Sequence, residues 1–383
     1  MIDQRHEDIA RFVAGLEHDG HLSDPAWKKA FGEVPRHVFL PSFFLPLPDG
    51  RWQAIDASHP DYWGRVYADT TLTTQLDGTL GPDSDGGPLP GTGTSSSTQP
   101  GLMALMLDAL RLSSGERVLE IGTGTGYNAA LLTHRLGAQN VTSVEVDAGV
   151  ADLARQRLAA AGYRPTVITG DGERGWPETV PFDRLIATVS VPAVPAAWLG
   201  QVRDGGVIVV SLWRDLGGGP LVRLEVNAAT AQGFFLAEPG GFMPVRAANR
   251  ATAALSAAIK QTGTTRPTRH PSSVLHHADA GLWLALQVRD VTWLGFTPDG
   301  GTEQMWLFAS DGSWAAVDDT AQRVEQYGTR DLWDEIETVY DRWRDAGAPS
   351  RDRLGLTVTD TGAQRFWLDS PDAVMWDDAG VHR

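Results

Sequence analysis

Apolar residues at Ile9, Phe12, Val13 and Leu16 recur at helical spacing and predict an amphipathic helix ending near Gly20. Asp24-Pro25-Ala26-Trp27 predicts the start of a second helix, with Asp24 as its N-cap and Pro25 in the first turn. From Val118 the pattern changes to short, nearly continuous apolar runs of buried-strand character. Residues 118–121, 141–146, 167–172 and 183–188 make four of these, and 207–211, after Gly205-Gly206, a fifth. Tyr127-Asn128-Ala129-Ala130-Leu131-Leu132 follows the first run at helical spacing, and the apolar, proline-containing residues 189–195 read as a loop after the fourth. Residues 221–226 and 234–242 predict further strands. In the last third, 282–288, 304–308 and 314–317 also predict strands. Leu332, Ile336, Val339, Tyr340 and Trp343 mark one face of a helix that stops near Gly347. Residues 354–359 and 364–368 predict a hairpin around Asp360-Thr361-Gly362.

Two stretches lack either period. Residues 77–93 are nearly all Gly, Pro, Asp, Ser and Thr, which predicts an irregular, mobile surface loop, either a tolerated insertion or a flap over a bound peptide. Trp52, Trp63 and Tyr67 lie in an irregular stretch and are expected to pack against the core rather than line a cleft. Thr94-Ser95-Ser96-Ser97-Thr98-Gln99-Pro100 then leads into an apolar helix over 102–107, and a hydroxyl at such a place is first an N-cap candidate.

A chain of 383 residues is long for one core and predicts a large domain plus a smaller one. The change of character after Arg250, to alanine-rich residues 251–259 and a polar, proline-containing 262–273, predicts a boundary that separates 1–250 from 251–383. Eight of the 14 tryptophans follow residue 280, which predicts a small α+β core filled with large side chains, one or two of them left for a peptide-binding surface. A net charge of −16 argues against a nucleic-acid partner, since such affinity rests on neutralising phosphates. The basic run Arg266-Pro267-Thr268-Arg269-His270-Pro271 is read as a loop. With no cysteine there are no disulfides, thiol chemistry or zinc–thiolate sites, and no metal is expected. A polar N-terminus and the lack of a long apolar run predict a cytoplasmic protein without signal peptide or membrane association.

The chemistry concentrates on Val118-Leu119-Glu120-Ile121-Gly122-Thr123-Gly124-Thr125-Gly126. Glycines at a strand-to-helix turn let the backbone approach a ligand and offer free N–H groups at the positive end of a helix. By itself the pattern serves a dinucleotide or a tight corner equally well. The second strand ends on Glu145, 19 residues after Gly126, where a carboxylate can accept from both ribose hydroxyls of a nucleoside. The third ends on Asp171-Gly172.

The segments GTGTGYNAALL, SVEVD, TGDGERGWPE and FDRLIAT, in that order, together with VPRHVFLP near the N-terminus, resemble the protein-L-isoaspartate O-methyltransferases. The likeness spans about residues 24–245. It implies a class I methyltransferase fold, a Rossmann-like doubly wound α/β sheet, here followed by a smaller α+β C-terminal domain. It favours S-adenosyl-L-methionine, with S-adenosyl-L-homocysteine as product, over a dinucleotide: about a hundred residues precede the turn and nothing later resembles a hydride-transfer site. Gly122, Thr123, Gly124 and Gly126 are implied to hold the methionine part, Glu145 the ribose, and Asp171 with Gly172 the adenine. Glu120, Tyr127, Asn128, Val146 and Thr188 complete the implied cofactor site, and His37 is implied to be structural.

Alignment on Pro100 puts Thr98 where the family's T-x-S-x-P signature has the serine that meets the acceptor carboxylate, so Thr98, with Ser97, is the implied catalytic pair. Capping and substrate contact are both open to Thr98. The added C-terminal domain resembles a branch found in ribosomal-peptide maturation systems. There the substrate is a peptide pre-cyclised by an ATP-grasp ligase (graspetides) or a lanthipeptide synthetase, and the methylated group is an aspartate that proceeds to aspartimide or isoaspartate. A monomer acting on such an Asp-containing modified peptide is therefore expected. A general isoaspartate repair enzyme and a non-catalytic cofactor-binding scaffold are the alternatives.

Overall fold

The structure, a computed structural model, describes residues 2–82, 87–228, 230–242, 261–297 and 302–378. The expected boundary at Arg250 and the alanine-rich residues 251–259 lie outside the described residues. Helices form at Ile2–His18 and Pro25–Glu33. The Asp24 carboxylate caps the second by accepting from the Ala26 N–H at 2.8 Å, with Pro25 in the first turn. A small antiparallel sheet follows, built from β1 (Ser42–Pro46), β2 (Trp52–Asp56), β3 (Leu72–Leu76) and β4 (Gly93–Ser97) in the order β2-β1-β3-β4.

The described part of the expected loop at 77–93 is a clipped hairpin extension. The Asp77 N–H donates to the Thr92 carbonyl at 2.9 Å, and Leu89 exchanges backbone bonds of 2.7 and 2.8 Å with Trp52. Backbone groups carry this pairing, so side-chain composition gives no sign of it. Residues 83–86 are outside the described set.

The central sheet begins with five parallel strands: β5 (Val118–Ile121), β6 (Val141–Glu145), β7 (Thr166–Thr169), β8 (Phe182–Val191) and β9 (Val202–Leu212). Strand β8 runs on through Val191, where a loop was expected from Val189. Alternation along the strands sorts side chains to two faces. Leu119, Ile121, Leu185, Ala187, Ile208 and Val210 enter one core, and Val118, Ile186, Val207 and Val209 the other, beneath the N-terminal helices. Strands β10 (Leu221–Asn227) and β11 (Thr230–Phe234) continue the sheet antiparallel. Residues 235–242, expected as strand, form no strand: an isolated bridge joins Phe235 to Val222, and single backbone bonds run from Phe235 to Leu354 and from Gly240 to Gly219.

The C-terminal region is β-rich. Strands β12 (Thr264–Pro267), β13 (Val291–Phe296), β14 (Gln304–Ala309), β15 (Trp314–Asp318) and β16 (Arg323–Tyr327) form a five-stranded sheet in the order β12-β16-β15-β14-β13. The hairpin of β17 (Leu354–Thr359) and β18 (Gln364–Leu368) lies where expected, but with β19 (Val374–Asp378) it extends the central sheet to ten strands, β17 pairing with β11. The division at residue 250 is therefore not a division of the core. Leu307, Val317, Leu332, Trp333 and Ile336 share one apolar cluster with Leu119 and Ile208.

Of residues 282–288, expected as a strand, 282–287 belong to the helix Ala278–Gln287 and Val288 is its C-cap. Every residue from Ala280 to Leu286 is buried, so no polar face reveals the helical period, and the His277 ring caps it by accepting from the Asp279 and Ala280 N–H groups. Six of the eight late tryptophans are buried, as a core filled with large side chains requires, and Trp293 and Trp376 are half-buried. The basic run is not free for a partner: Arg266, Arg269 and His270 pair with Asp334, Glu337 and Asp341 of the helix Leu332–Asp345. Among the described residues no helix is long and apolar enough to cross a membrane.

Candidate functional site

Parallel order β7-β6-β5-β8-β9 reverses direction of growth at β5, and a crevice opens there at the carboxyl ends of the strands. The glycine turn fills its floor. Gly122, Gly124 and Gly126 have φ of +93°, +53° and +88°, which side-chain-bearing residues avoid. A Cβ on Gly122 would sit 2.7 Å from Val189 Cγ1, and one on Gly172 2.5 Å from Ile121 Cγ2, so both glycines also make room for neighbouring strands. Thr188 Oγ1 donates to the Gly122 carbonyl at 2.6 Å and holds the turn from the β8 side.

Beneath the turn lies a buried polar cluster. Glu120 is fully buried and accepts from Asn128 Nδ2 at 2.7 Å and from the Ser143 hydroxyl, which also bonds Thr123 Oγ1 at 2.6 Å. Loss of water pushes the Glu120 carboxyl up to about 7 against the lowering effect of the Ser143 and Asn128 bonds. Glu145 ends β6, where its Oε2 accepts from the Gly124 N–H at 2.9 Å. Burial raises its pKa, while the backbone N–H groups of Gly124 and Asp147 act the other way.

Above the turn stands β4. Its Ser95, Ser96 and Ser97 and the following Thr98 form a hydroxyl-bearing wall, with the Ser96 carbonyl 3.5 Å from where a Cβ of Gly124 would be. Helix Pro100–Ala109 has no side-chain cap; Thr98 does not serve as one. Asp69 satisfies that helix end instead, accepting from the Gly101 N–H at 2.6 Å and from Gln99 Nε2 at 2.9 Å. Behind the wall lies Arg36, from the VPRHVFLP segment, with no exposed surface. His37 bonds the Tyr67 hydroxyl at 2.7 Å through Nδ1, a packing role.

Turn and wall enclose a cavity of about 780 Å³, a size common for small-molecule sites. Thr98, Ser97, Gly122, Thr123, Gly124, Tyr127, Asn128, Glu145, Val146, Gly172 and Thr188 all line it. Gly126 lies in the turn behind the lining, Glu120 lies below it, and the Asp171 carboxylate is turned to the Glu173 N–H at 3.0 Å, so that Gly172 and Glu173 face the cavity in its place. Sequence reasoning missed Trp52, Gln75, Trp213 and Phe242, which also line the cavity. Trp52 had been expected to pack, and only the hairpin pairing reveals its place. Gln75 Nε2 reaches across to Asp147 Oδ2 at 3.2 Å, tying the hairpin to the Glu145 side. The charged lining residues are acids, Glu145, Asp147 and Glu173; no Lys, Arg or His is among the described lining residues, and none of them follows Phe242.

The cavity fits an adenosyl amino acid. Glycines leave backbone exposed, Glu145 stands where ribose hydroxyls can donate, and the Tyr127 hydroxyl and Asn128 Oδ1 are buried at the wall without a hydrogen-bond partner. Fold and site together define a class I, S-adenosylmethionine-dependent methyltransferase. The family model for Protein-L-isoaspartate(D-aspartate) O-methyltransferase (PCMT) matches residues 67–217. A protein-L-isoaspartate O-methyltransferase of Ignicoccus hospitalis is 35% identical over 256 residues, covering 64% of this chain and 98% of that protein. Its counterpart from a Synechococcus species is 35% identical over 230 residues, covering 58% of this chain and 79% of that protein. A solved structure titled protein-L-isoaspartate O-methyltransferase matches the fold with a TM-score of 0.53 at 24% identity, over 94% of this chain and 99% of that one. The chain belongs to the protein-L-isoaspartate O-methyltransferase family and is a carboxyl methyltransferase. The dehydrogenase and scaffold alternatives fall away.

Proposed function

We propose that this enzyme methylates the free carboxylate of L-isoaspartyl residues in damaged proteins and peptides, the general repair reaction. The observation that carries the reading is the hydroxyl wall of Ser97 and Thr98 facing the glycine turn across one cavity. Support comes from the relatives bearing that name, one of them covered over 98% of its length. Bound S-adenosylmethionine supplies a methyl on a positively charged sulfur, which a carboxylate oxygen displaces directly while the C–S electron pair leaves with sulfur. A carboxylate with an ordinary pKa of ~3.9 is already an anion at neutral pH, so no general base is needed. The chain's contribution is alignment and exclusion of water. Thr98 and Ser97 orient the acceptor oxygen, the glycine turn and Glu145 fix the donor, and Trp52 and Trp213 add apolar surface to the cavity lining. The ester is a better leaving group than the carboxylate: the next residue's amide nitrogen attacks it, methanol departs, and the resulting cyclic imide opens with water.

A second reading, tailoring of a pre-cyclised ribosomal peptide at an ordinary aspartate, is favoured by Thr98 standing where the family signature has serine. Its other support, the C-terminal region, does not discriminate, because a structure named for the repair activity matches the fold over 94% of this chain. Initial rates on one linear peptide in isoaspartyl and aspartyl forms, and on a cyclised aspartyl peptide, separate the two. Repair predicts turnover of the isoaspartyl form alone. Preference for the cyclised aspartyl peptide would establish the second reading.

A further inference from the structure

The cavity presents a puzzle in charge. Its acceptor is an anion and its charged lining residues are acids, with no described Lys, Arg or His at its surface. One cation stands directly behind the wall. Arg36 is fully buried, and its guanidinium donates to five oxygens: the carbonyls of Val66 at 2.9 Å, Ala68 at 3.0 Å, Thr70 at 3.1 Å and Thr98 at 3.2 Å, and Ser97 Oγ at 3.4 Å. Its Nε has no partner, and no carboxylate pairs with it among the described residues. Asp69, the acid whose charge it feels, spends its oxygens on Gly101 and Gln99. The guanidinium also lies 6.0 Å from the ring centre of Tyr127, a lining residue.

A buried cation without a carboxylate is costly to keep, and carbonyl groups replace its water only in part. Burial lowers its pKa to about 10, which leaves it charged at neutral pH. Resting on the methyl-transfer reading above, we infer that Arg36 is the positioning residue of the acceptor site: it ties the 66–70 segment to Ser97 and Thr98 and supplies, from one layer behind, the positive field that selects a carboxylate. Its fork geometry serves the first task, since one planar group joins two separate segments. Its burial serves the second, because a charge away from solvent acts over several ångströms with little screening. Specificity for the anion over its amide then comes from a residue that never touches substrate.

The test is binding, measured calorimetrically with S-adenosylhomocysteine present, of an isoaspartyl peptide and of the same peptide with that carboxylate replaced by a carboxamide. Wild type should prefer the carboxylate by about tenfold. In Arg36→Met the preference should fall to near unity while S-adenosylhomocysteine affinity stays within twofold, and Arg36→Lys, which keeps the charge, should retain most of it. A folded Arg36→Met with unchanged preference overturns the inference. Wild type decides the matter even if Arg36→Met does not fold. From about 0.1 M to about 1 M salt the Debye length shrinks from ~10 to ~3 Å. A preference that persists over that range supports a buried source, and one that collapses assigns it to surface charge and overturns Arg36. Failure of wild type to bind the isoaspartyl peptide at all would overturn the repair reading together with the inference built on it.

Discussion

Replacing Glu145 separates cofactor binding from folding. The carboxylate ends β6 with Oε2 on the Gly124 N–H at 2.9 Å and Oε1 on the Asp147 N–H at 3.2 Å, leaving lone pairs toward the cavity. Two ribose hydroxyls would donate to those lone pairs. A hydrogen bond to a charged group is worth ~1.5–3 kcal/mol, and each 1.4 kcal/mol is about tenfold in affinity. Glu145→Ala, which removes both, should weaken S-adenosylhomocysteine binding at least about a hundredfold. Glu145→Gln, which keeps the shape and one acceptor, should fall between. Stability should behave differently. Burial raises the Glu145 pKa, so the folded state disfavours its charge and loses little when that charge is removed. Isothermal titration beside a thermal melt reads both quantities. An affinity for S-adenosylhomocysteine within twofold of wild type in Glu145→Ala would refute the ribose assignment.

Two further predictions concern single side chains. Thr98→Ala should lower turnover by about one to two powers of ten while leaving the melting temperature unchanged, because Asp69 rather than Thr98 satisfies the start of the helix Pro100–Ala109; Thr98→Ser should keep most activity. A lowered melting temperature with normal turnover would restore Thr98 to a capping role. Glu120, raised from 4.5 to about 7 by burial, binds more protons folded than unfolded, so its contribution to stability is full below about pH 4.5 and is lost as pH rises to about 7. The loss is about 3 kcal/mol, and Glu120→Gln should flatten stability across that window in denaturant titrations at several pH values; an unchanged slope would contradict the assignment.

The glycine turn, Glu145 and the parallel strands were legible because their signals are local. A positive-φ turn demands glycine, and buried parallel strands demand apolar runs. The helix Ala278–Gln287 was not, since a helix buried on every side carries no amphipathic period. Nor were the joining of β17 to β11 or the pairing of Leu89 with Trp52, which are long-range backbone bonds that composition does not encode. Those misses explain two revisions. The smaller C-terminal domain is present with a five-stranded sheet of its own, but three of its strands complete the central sheet, and Trp52, expected to pack against the core, is carried by the hairpin to the cavity lining. Arg36 was visible as a residue, but its role depends on oxygens contributed by residues 66–70 and 97–98, which only the fold assembles.

The central claim is that Ser97, Thr98 and the glycine turn bring a carboxylate oxygen to the methyl of S-adenosylmethionine. The most direct measurement is mass spectrometry of an isoaspartyl peptide incubated with the enzyme and methyl-labelled S-adenosylmethionine. The account predicts one labelled methyl per peptide, located on the isoaspartyl carboxyl and released as methanol when the ester closes to the cyclic imide under mild base. Label that stays on the peptide through that treatment, or a peptide that gains none while the enzyme binds S-adenosylhomocysteine, would contradict it.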